Sequence, residues 1–276
     1  MDFKINHNFI GKSINEFLHF YRVAKSTIYK IESNKLVRVN NQIVKLNYIL
    51  KVDDTLNFDN NQSDPNKVIP YQGKIDIVYE DNDILIVNKP PFMLVHTDGN
   101  TLDTLSNRVS YYAVKNNYEG TVKHAHRIDY ETSGMVIYTK HFLAHSYISS
   151  LFESRLISKT YVCWRNNKFN ALTGVIDSKI GKDRHENKQR ISKTGKEAVT
   201  KYKVLVNDKV SKVAVEIIGG RKHQIRVHMA SINHPIVGDK LYGRSDNKRL
   251  LLHFKTVKFI HPRTLEEQEF NCPEDF

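Results

Sequence analysis

Apolar, β-branched runs follow one another along this chain with few helical stretches between them, and that ordering limits the fold more than any other feature. "IDIVYE" and "ILIVN" read as two strands, Ile75 to Tyr79 and Ile84 to Asn88, turned at Glu80 to Asp83 and closed by Pro90 and Pro91. Met135 to Thr139, "SKTYVCWR", "AVTKYKVL" and "VAVEIIGG" add further strands, by alternation or by continuous apolar character. Helical spacing shows at Ala144, Ile148, Leu151 and Arg155, and again at Ile225, Met229 and Ile232, where Asn233 and Pro235 end it. The pattern is α+β and excludes regular βαβ alternation.

The first 58 residues read as a separate unit. Ile14, Phe17, Leu18 and Tyr21 lie at helical spacing, and Ile28 and Ile31 continue it after a cap at Ser26 or Thr27. Leu36, Val37 and Val39, the pair Asn40 and Asn41, then Ile43 and Val44 predict a hairpin, and "VDDTLNF" a last strand. Residues 59–70, "DNNQSDPNKVIP", are polar, carry two prolines and have no periodicity, as a linker does. The larger domain is expected over 71–276; at 276 residues the chain suits one main core with a small satellite.

Forty-two basic against 30 acidic residues give a net charge of +12 and a pI near 9.5, which suits either a polyanionic partner or a merely basic enzyme. No apolar stretch is long enough to cross a bilayer, and Met1 to Asn8 has no apolar signal core, so a cytoplasmic, membrane-free protein is expected. Cys163 and Cys272 stand far apart in no ligand spacing, which argues against a disulfide framework or zinc site.

The segment "HAHRIDYETSG" puts Asp129 two positions after Arg127 and just before a turn-prone run. Local spacing alone allows a loop salt bridge or a catalytic carboxylate. In "GGRKHQIRVHMASINHPIVGDKLYG" two glycines close a strand, and His223 and Arg226, three apart, share a helical face beside the apolar stripe. That is either an amphipathic helix with a basic solvent side or part of a site.

Within the first unit, "VRVNNQIV" and "KVDDTLNF" resemble the S4 RNA-binding domain, although Ser13, Ile14 and Asn15 depart from its pattern and Asn41 and Asp53 stand where it has glycines. Lys25, Lys30, Lys35 and Arg38 would then meet phosphates; otherwise they are a solvated face. Farther along, "LIVNKPPFMLVH", "HRIDYETSGMVIYTK" and "GRKHQIRVHMASINHPIVGDKLYG" together resemble, in order, the RluA-type pseudouridine synthases, and the likeness spans residues 75 to 262. Ile128 replaces the family's leucine in "H-R-L-D".

This resemblance implies a catalytic domain with a long, mostly antiparallel mixed sheet, and isomerisation of uridine to pseudouridine within RNA. It makes Asp129 the catalytic aspartate, Tyr161 the tyrosine that contacts the base, and Arg226 the arginine that pairs with the aspartate. Arg127 would fill the gap left by the uridine, and His126, Ile225, His223 and Lys159 would join it on the substrate. Ribosomal RNA is favoured as partner, transfer RNA is the alternative, and a monomer suffices.

The chemistry fits those roles. The bond from uracil N1 to the ribose must break and the base rejoin through C5, and an ionised carboxylate can attack an electrophilic carbon or take a sugar proton. An arginine beside Asp129 would keep it charged. Substrate and product are isomers, so no cofactor is expected, and the chain has no phosphate-loop or dinucleotide fingerprint. His124, His126 and Asp129 could instead form a metal-dependent phosphodiesterase centre, but no second histidine-carboxylate motif completes one. A noncatalytic RNA-binding protein is the other rival.

Overall fold

The computed structural model describes residues 2–59, 68–118, 120–244 and 248–276, so the centre of the expected linker, 60–67, lies outside the described residues. In chain order the elements are β1 (Asp2–Lys4), α1 (Ile14–Phe20), α2 (Lys25–Ser33), β2 (Val37–Val39), β3 (Gln42–Ile43) and β4 (Thr55–Phe58). Next come β5 (Asp76–Glu80), β6 (Ile84–Lys89), α3 (Leu105–Lys115), β7 (Lys123–His124), β8 (Ser133–Thr139), α4 (Phe142–Glu153) and β9 (Ser158–Asn166). The rest are β10 (Thr173–Asp177), β11 (Ile180–Lys182), β12 (Gln189–Ile191), β13 (Val199–Val206), β14 (Val210–Ile218), α5 (Gln224–Ser231), β15 (Leu252–Ile260) and β16 (Glu267–Asn271).

The first 58 residues make two helices on a four-stranded sheet of order β1-β4-β2-β3. Ser13 caps α1 in a reciprocal box with Glu16, so two orphan N–H groups at the helix start are satisfied. The hairpin forms where expected, with Asn40 and Asn41 at φ 49° and 68°, the left-handed pair that a two-residue turn needs. Asp53 also sits at φ 62°. Asn41 and Asp53, the two departures from the S4 glycines, thus adopt left-handed backbone, as asparagine and aspartate do more readily than other L residues. The expected cap of the second helix shifts: α2 begins at Lys25 behind Ala24, which makes no side-chain cap bond.

Among the described residues the large sheet has ten strands, with the path β10-β13-β14-β9-β15-β8-β6-β5 and with β16 and β7 pairing β15 and β8. Every pairing in it is antiparallel except β15 with β8, which is parallel over His253↔Ser133 and Phe254↔Gly134. β8 is buried along its whole length and β6 along nearly all of it, which is why both read as continuous apolar runs. At the parallel junction Gly134 has φ 113°, and a Cβ there would run into the backbone of Phe254.

The N-terminal unit packs on α4 and the loop after β15. Tyr21, fully buried, donates its hydroxyl to the Pro262 carbonyl at 2.7 Å and packs its ring against Tyr147 on α4. Phe58 meets Phe142 edge to face. Arg263 lies 4.4 Å from the Phe3 ring and grips Asp83 at 2.5 and 3.0 Å, while His141 takes the same carboxylate at 2.8 Å. Burial raises the Asp83 carboxyl, but the hydrogen bonds from His141 and Arg263 together outweigh it and hold the group below the usual range.

Candidate active site

Asp129 lies on the loop between β7 and β8, where the Thr132 N–H donates to its carbonyl at 3.1 Å and closes a turn. Its half-buried side chain lines a cleft of about 450 Å³ together with Arg127, His223 and Arg226. A deeper recess of about 70 Å³ continues from Asp129 to Tyr161 and Ile225. The openings are lined by the Asp129 loop, Tyr161 on β9, the turn from Gly220 into α5 and the loop 94–98 after β6, with Ile217, Leu241 and Leu252 beside them. Gly219 and Gly220 have φ 102° and 157°, and they let the backbone reverse beside the recess.

Tyr161 stacks on Phe254 at 4.5 Å and 12°, which fixes the plane of its ring. Burial raises its hydroxyl's pKa, and the charge of Asp129 raises it further, so the phenol stays protonated. His223 opens α5 at φ 57° and pairs through Nδ1 with the Tyr242 hydroxyl at 2.9 Å. Burial depresses its pKa while Asp129 opposes that effect. Arg127 is exposed at the rim.

The expected pairing of Arg226 with Asp129 is corrected. Arg226 is 1% exposed and donates from Nε and Nη2 to the two oxygens of Asp239 at 2.9 and 2.8 Å; Nη2 also lies 2.9 Å from Glu131. Asp239 is fully buried and takes backbone N–H groups of Leu241 and Tyr242 as well. Arg226 and Asp129 share the cleft walls without a hydrogen bond between them, and Asp129 acts on the guanidinium only as one of several nearby charges. A fork-to-fork pair is the strongest geometry an arginine has, and Asp239 supplies it.

Two other expected substrate residues turn away from the cleft. His126 accepts the Ile137 N–H through Nε2 at 3.1 Å and packs on Phe152 and Phe254; burial pushes it down to about 3, so it is a neutral structural ring. His124 stacks on His96 and faces Ser106, so the imagined His124, His126 and Asp129 metal triad has its rings engaged elsewhere. Lys159 is buried beside the recess and donates to the Gly219 carbonyl, which steadies the glycine turn.

Lys89 was missed by sequence reasoning. It is fully buried at the end of β6 and donates to the carbonyls of Pro90, Met93 and Tyr130 at 2.8, 2.9 and 3.2 Å. Burial pushes its pKa down to about 7 against the pull of Asp129. Its signal was the lysine inside "NKPP", an ionisable residue at the end of an apolar strand. Glu131 and Asp239 were also missed, because each reads as an ordinary loop acid until the fold brings Arg226 between them.

A family model described as RNA pseudouridylate synthase matches residues 83–231, which hold the Asp129 loop, Tyr161 and Arg226. The chain belongs to the RNA pseudouridine synthases. It is 38% identical over 253 residues to the uncharacterized RNA pseudouridine synthase YhcT of Bacillus subtilis, covering 89% of this chain and 83% of that one. It is 30% identical over 269 residues to ribosomal large subunit pseudouridine synthase D of Borreliella burgdorferi, covering 91% and 82%. Among solved structures it is similar to human RNA pseudouridylate synthase domain containing 1, with TM-score 0.63, 25% identity, and 78% and 87% coverage. The synthase therefore carries the RluA-type fold and isomerises uridine in RNA to pseudouridine. No helix among its described residues is long and apolar enough to cross a membrane.

Proposed function

We propose that Asp129 is the carboxylate that acts on an everted uridine of ribosomal RNA. One observation carries the reading: Asp129 lines the cleft and its inner recess, with a protonated tyrosine, a clamped arginine and a rim arginine around it. A uridine stacked in RNA must be flipped out at a cost of a few kcal/mol, and the exposed guanidinium of Arg127 suits the vacated space. Tyr161 then forms one wall for the base, with stacking worth about 1 to 3 kcal/mol. Asp129 attacks an electrophilic carbon or takes a sugar proton as the bond from N1 to the ribose breaks; the base rejoins through C5 as Asp129 leaves or returns its proton, and the C5 hydrogen is lost to solvent while N1 gains a proton. Nothing in that isomerisation consumes a donor.

Ribosomal RNA is favoured by the name of the Borreliella relative. Residues 1–58 act as an S4-like RNA-binding unit joined by 59–70 to the catalytic domain 71–276, and their two left-handed replacements at Asn41 and Asp53 support that reading. The cleft and recess are lined by residues of one chain, which suits an enzyme working as a monomer, and an RNA substrate suits a cytoplasmic setting. The test is Asp129→Asn with RNA containing 5-tritiated uridine: fold and RNA affinity are retained and tritium release is abolished. A fully active variant refutes the assignment.

A further inference from the structure

Three helices of this protein leave through a basic residue in the left-handed region, α2 at Lys35 (φ 52°) among them, and the ends of α1 and α4 lie at one groove. α1 is capped by Tyr21 and leaves through Arg22 at φ 56°; α4 is capped by Ser154 and leaves through Arg155 at φ 60°. Glycine is the usual residue at this left-handed position, because a Cβ there costs about 1 kcal/mol. A cation at a helix C-terminus recovers about 0.3 to 1 kcal/mol, and lysine or arginine elsewhere in the last turn would supply that without the strain. Both arginines are exposed, and among the described residues neither side chain has a carboxylate or carbonyl partner.

The groove runs between the N-terminal unit and α4 and holds about 470 Å³. Lys12, His19 and Arg22 line one side, and Ser150, Ser154 and Leu156, which flank Arg155, the other. Phe20 and Tyr147 stack at 5.9 Å and 21° within it. The acid on this wall, Glu16, is engaged by the Ser13 N–H and hydroxyl, both at 2.7 Å. Arg155 also bears electrostatically on Lys159, which is buried and donates to the Gly219 carbonyl at the edge of the recess. Cations interleaved with stacked rings are what a single-stranded nucleic acid meets on its binding surfaces.

We propose that this groove is a second RNA-contacting surface, holding the sugar-phosphate backbone of the strand that flanks the target uridine and aligning it across both units. The proposal rests on the RNA-modifying activity and not on the role of Asp129, so the two fail separately.

The informative variant is Arg22→Gly with Arg155→Gly, which removes the charges and relaxes the backbone together. Tritium release from 5-tritiated-uridine RNA, prepared from cells lacking the gene, is compared with anisotropy of fluorescein-labelled 8-mer and 30-mer oligouridylates over a salt series. A thermal midpoint equal to or above the parent is expected, with KM about fivefold to tenfold higher and kcat at saturation unchanged. The 30-mer should lose affinity, with its salt slope shallower by about 1.4 for two contacts to a single strand, while the 8-mer changes little. A lower midpoint with unchanged KM and salt slope makes the two arginines structural and overturns the proposal. Equal losses for the two oligomers overturn it as well, as does unaltered RNA binding, which would leave the groove to a protein.

Discussion

Arg226 reaches Asp239 with both Nε and Nη2, at 2.9 and 2.8 Å, and makes no hydrogen bond to Asp129 in the cleft they share. The guanidinium is thereby fixed in direction before any substrate arrives, with Glu131 as its second anchor. Asp239→Asn removes the charge from a fully buried pair, and breaking such pairs costs about 3 to 5 kcal/mol. Urea unfolding should show a loss in that range, and tritium release should fall together with it. An equally stable variant would make Glu131 the principal anchor.

Lys89 sets a dependence of stability on pH. Its folded pKa, about 7, is below the ordinary 10.5 because burial disfavours the ammonium. Below pH 7 both folded and unfolded forms carry the proton and the full penalty applies. Between about 7 and 10.5 the unfolded chain binds more protons, so this group's contribution makes stability rise with pH, by up to about 1.4 kcal/mol per unit. Lys89→Met should flatten the slope of unfolding free energy between pH 7 and 9.5. A parallel pair of curves excludes the lysine as its source.

Tyr161 separates packing from chemistry. Tyr161→Phe keeps the ring on Phe254 and should change stability by less than about 1 kcal/mol, because no hydrogen bond from the hydroxyl to the protein is formed among the described residues. Tyr161→Ala removes a buried ring and should cost about 3 to 5 kcal/mol, as other aromatic truncations do. If the hydroxyl meets the base, the phenylalanine variant loses at least tenfold in kcat/KM at unchanged stability. Full activity there would confine the residue to stacking.

Gly134→Ala tests the parallel junction. The new Cβ would fall against the backbone of Phe254, with its Cα 2.8 Å away, at a φ of 113° that L residues avoid. Backbone cannot yield as a flexible side chain does, so we expect a loss above about 4 kcal/mol and little soluble protein. A well-folded alanine variant by circular dichroism would show that β15 can separate from β8.

Local pattern revealed those parts of the fold that depend on near neighbours. The turn at Asn40 and Asn41, the buried runs of β6 and β8, and the stripe of α5 each declare themselves within about ten residues. β1 is three residues long and gains its identity only from Leu56 and its neighbours on β4. α3 escaped because Thr104 caps it over a polar first turn, where Ser106 and Asn107 are buried by tertiary contacts rather than by hydrophobicity. Arg155 fell on the helical spacing yet stands beyond the end of α4, in a conformation that periodicity cannot reveal.

The same limit governs the site. Asp129, Tyr161 and Arg226 stand out in the sequence because they sit in motifs, and all three line the recess. The choice of partner for Arg226 was not legible: Asp129 and Asp239 are both carboxylates, and only the path of the loop after α5 selects the second. His126 was misjudged for the opposite reason, since its neighbour Arg127 faces the cleft while its own ring points into the core.

The two rungs that join β15 to β8 span a long stretch of chain, from Ser133 and Gly134 to His253 and Phe254. Because Phe254 also backs the Tyr161 ring, the wall of the recess is incomplete until that distant strand has emerged and docked. During synthesis the Asp129 loop and Tyr161 are thus made well before the strand that completes their recess, and the catalytic shape is expected only once β15 has docked.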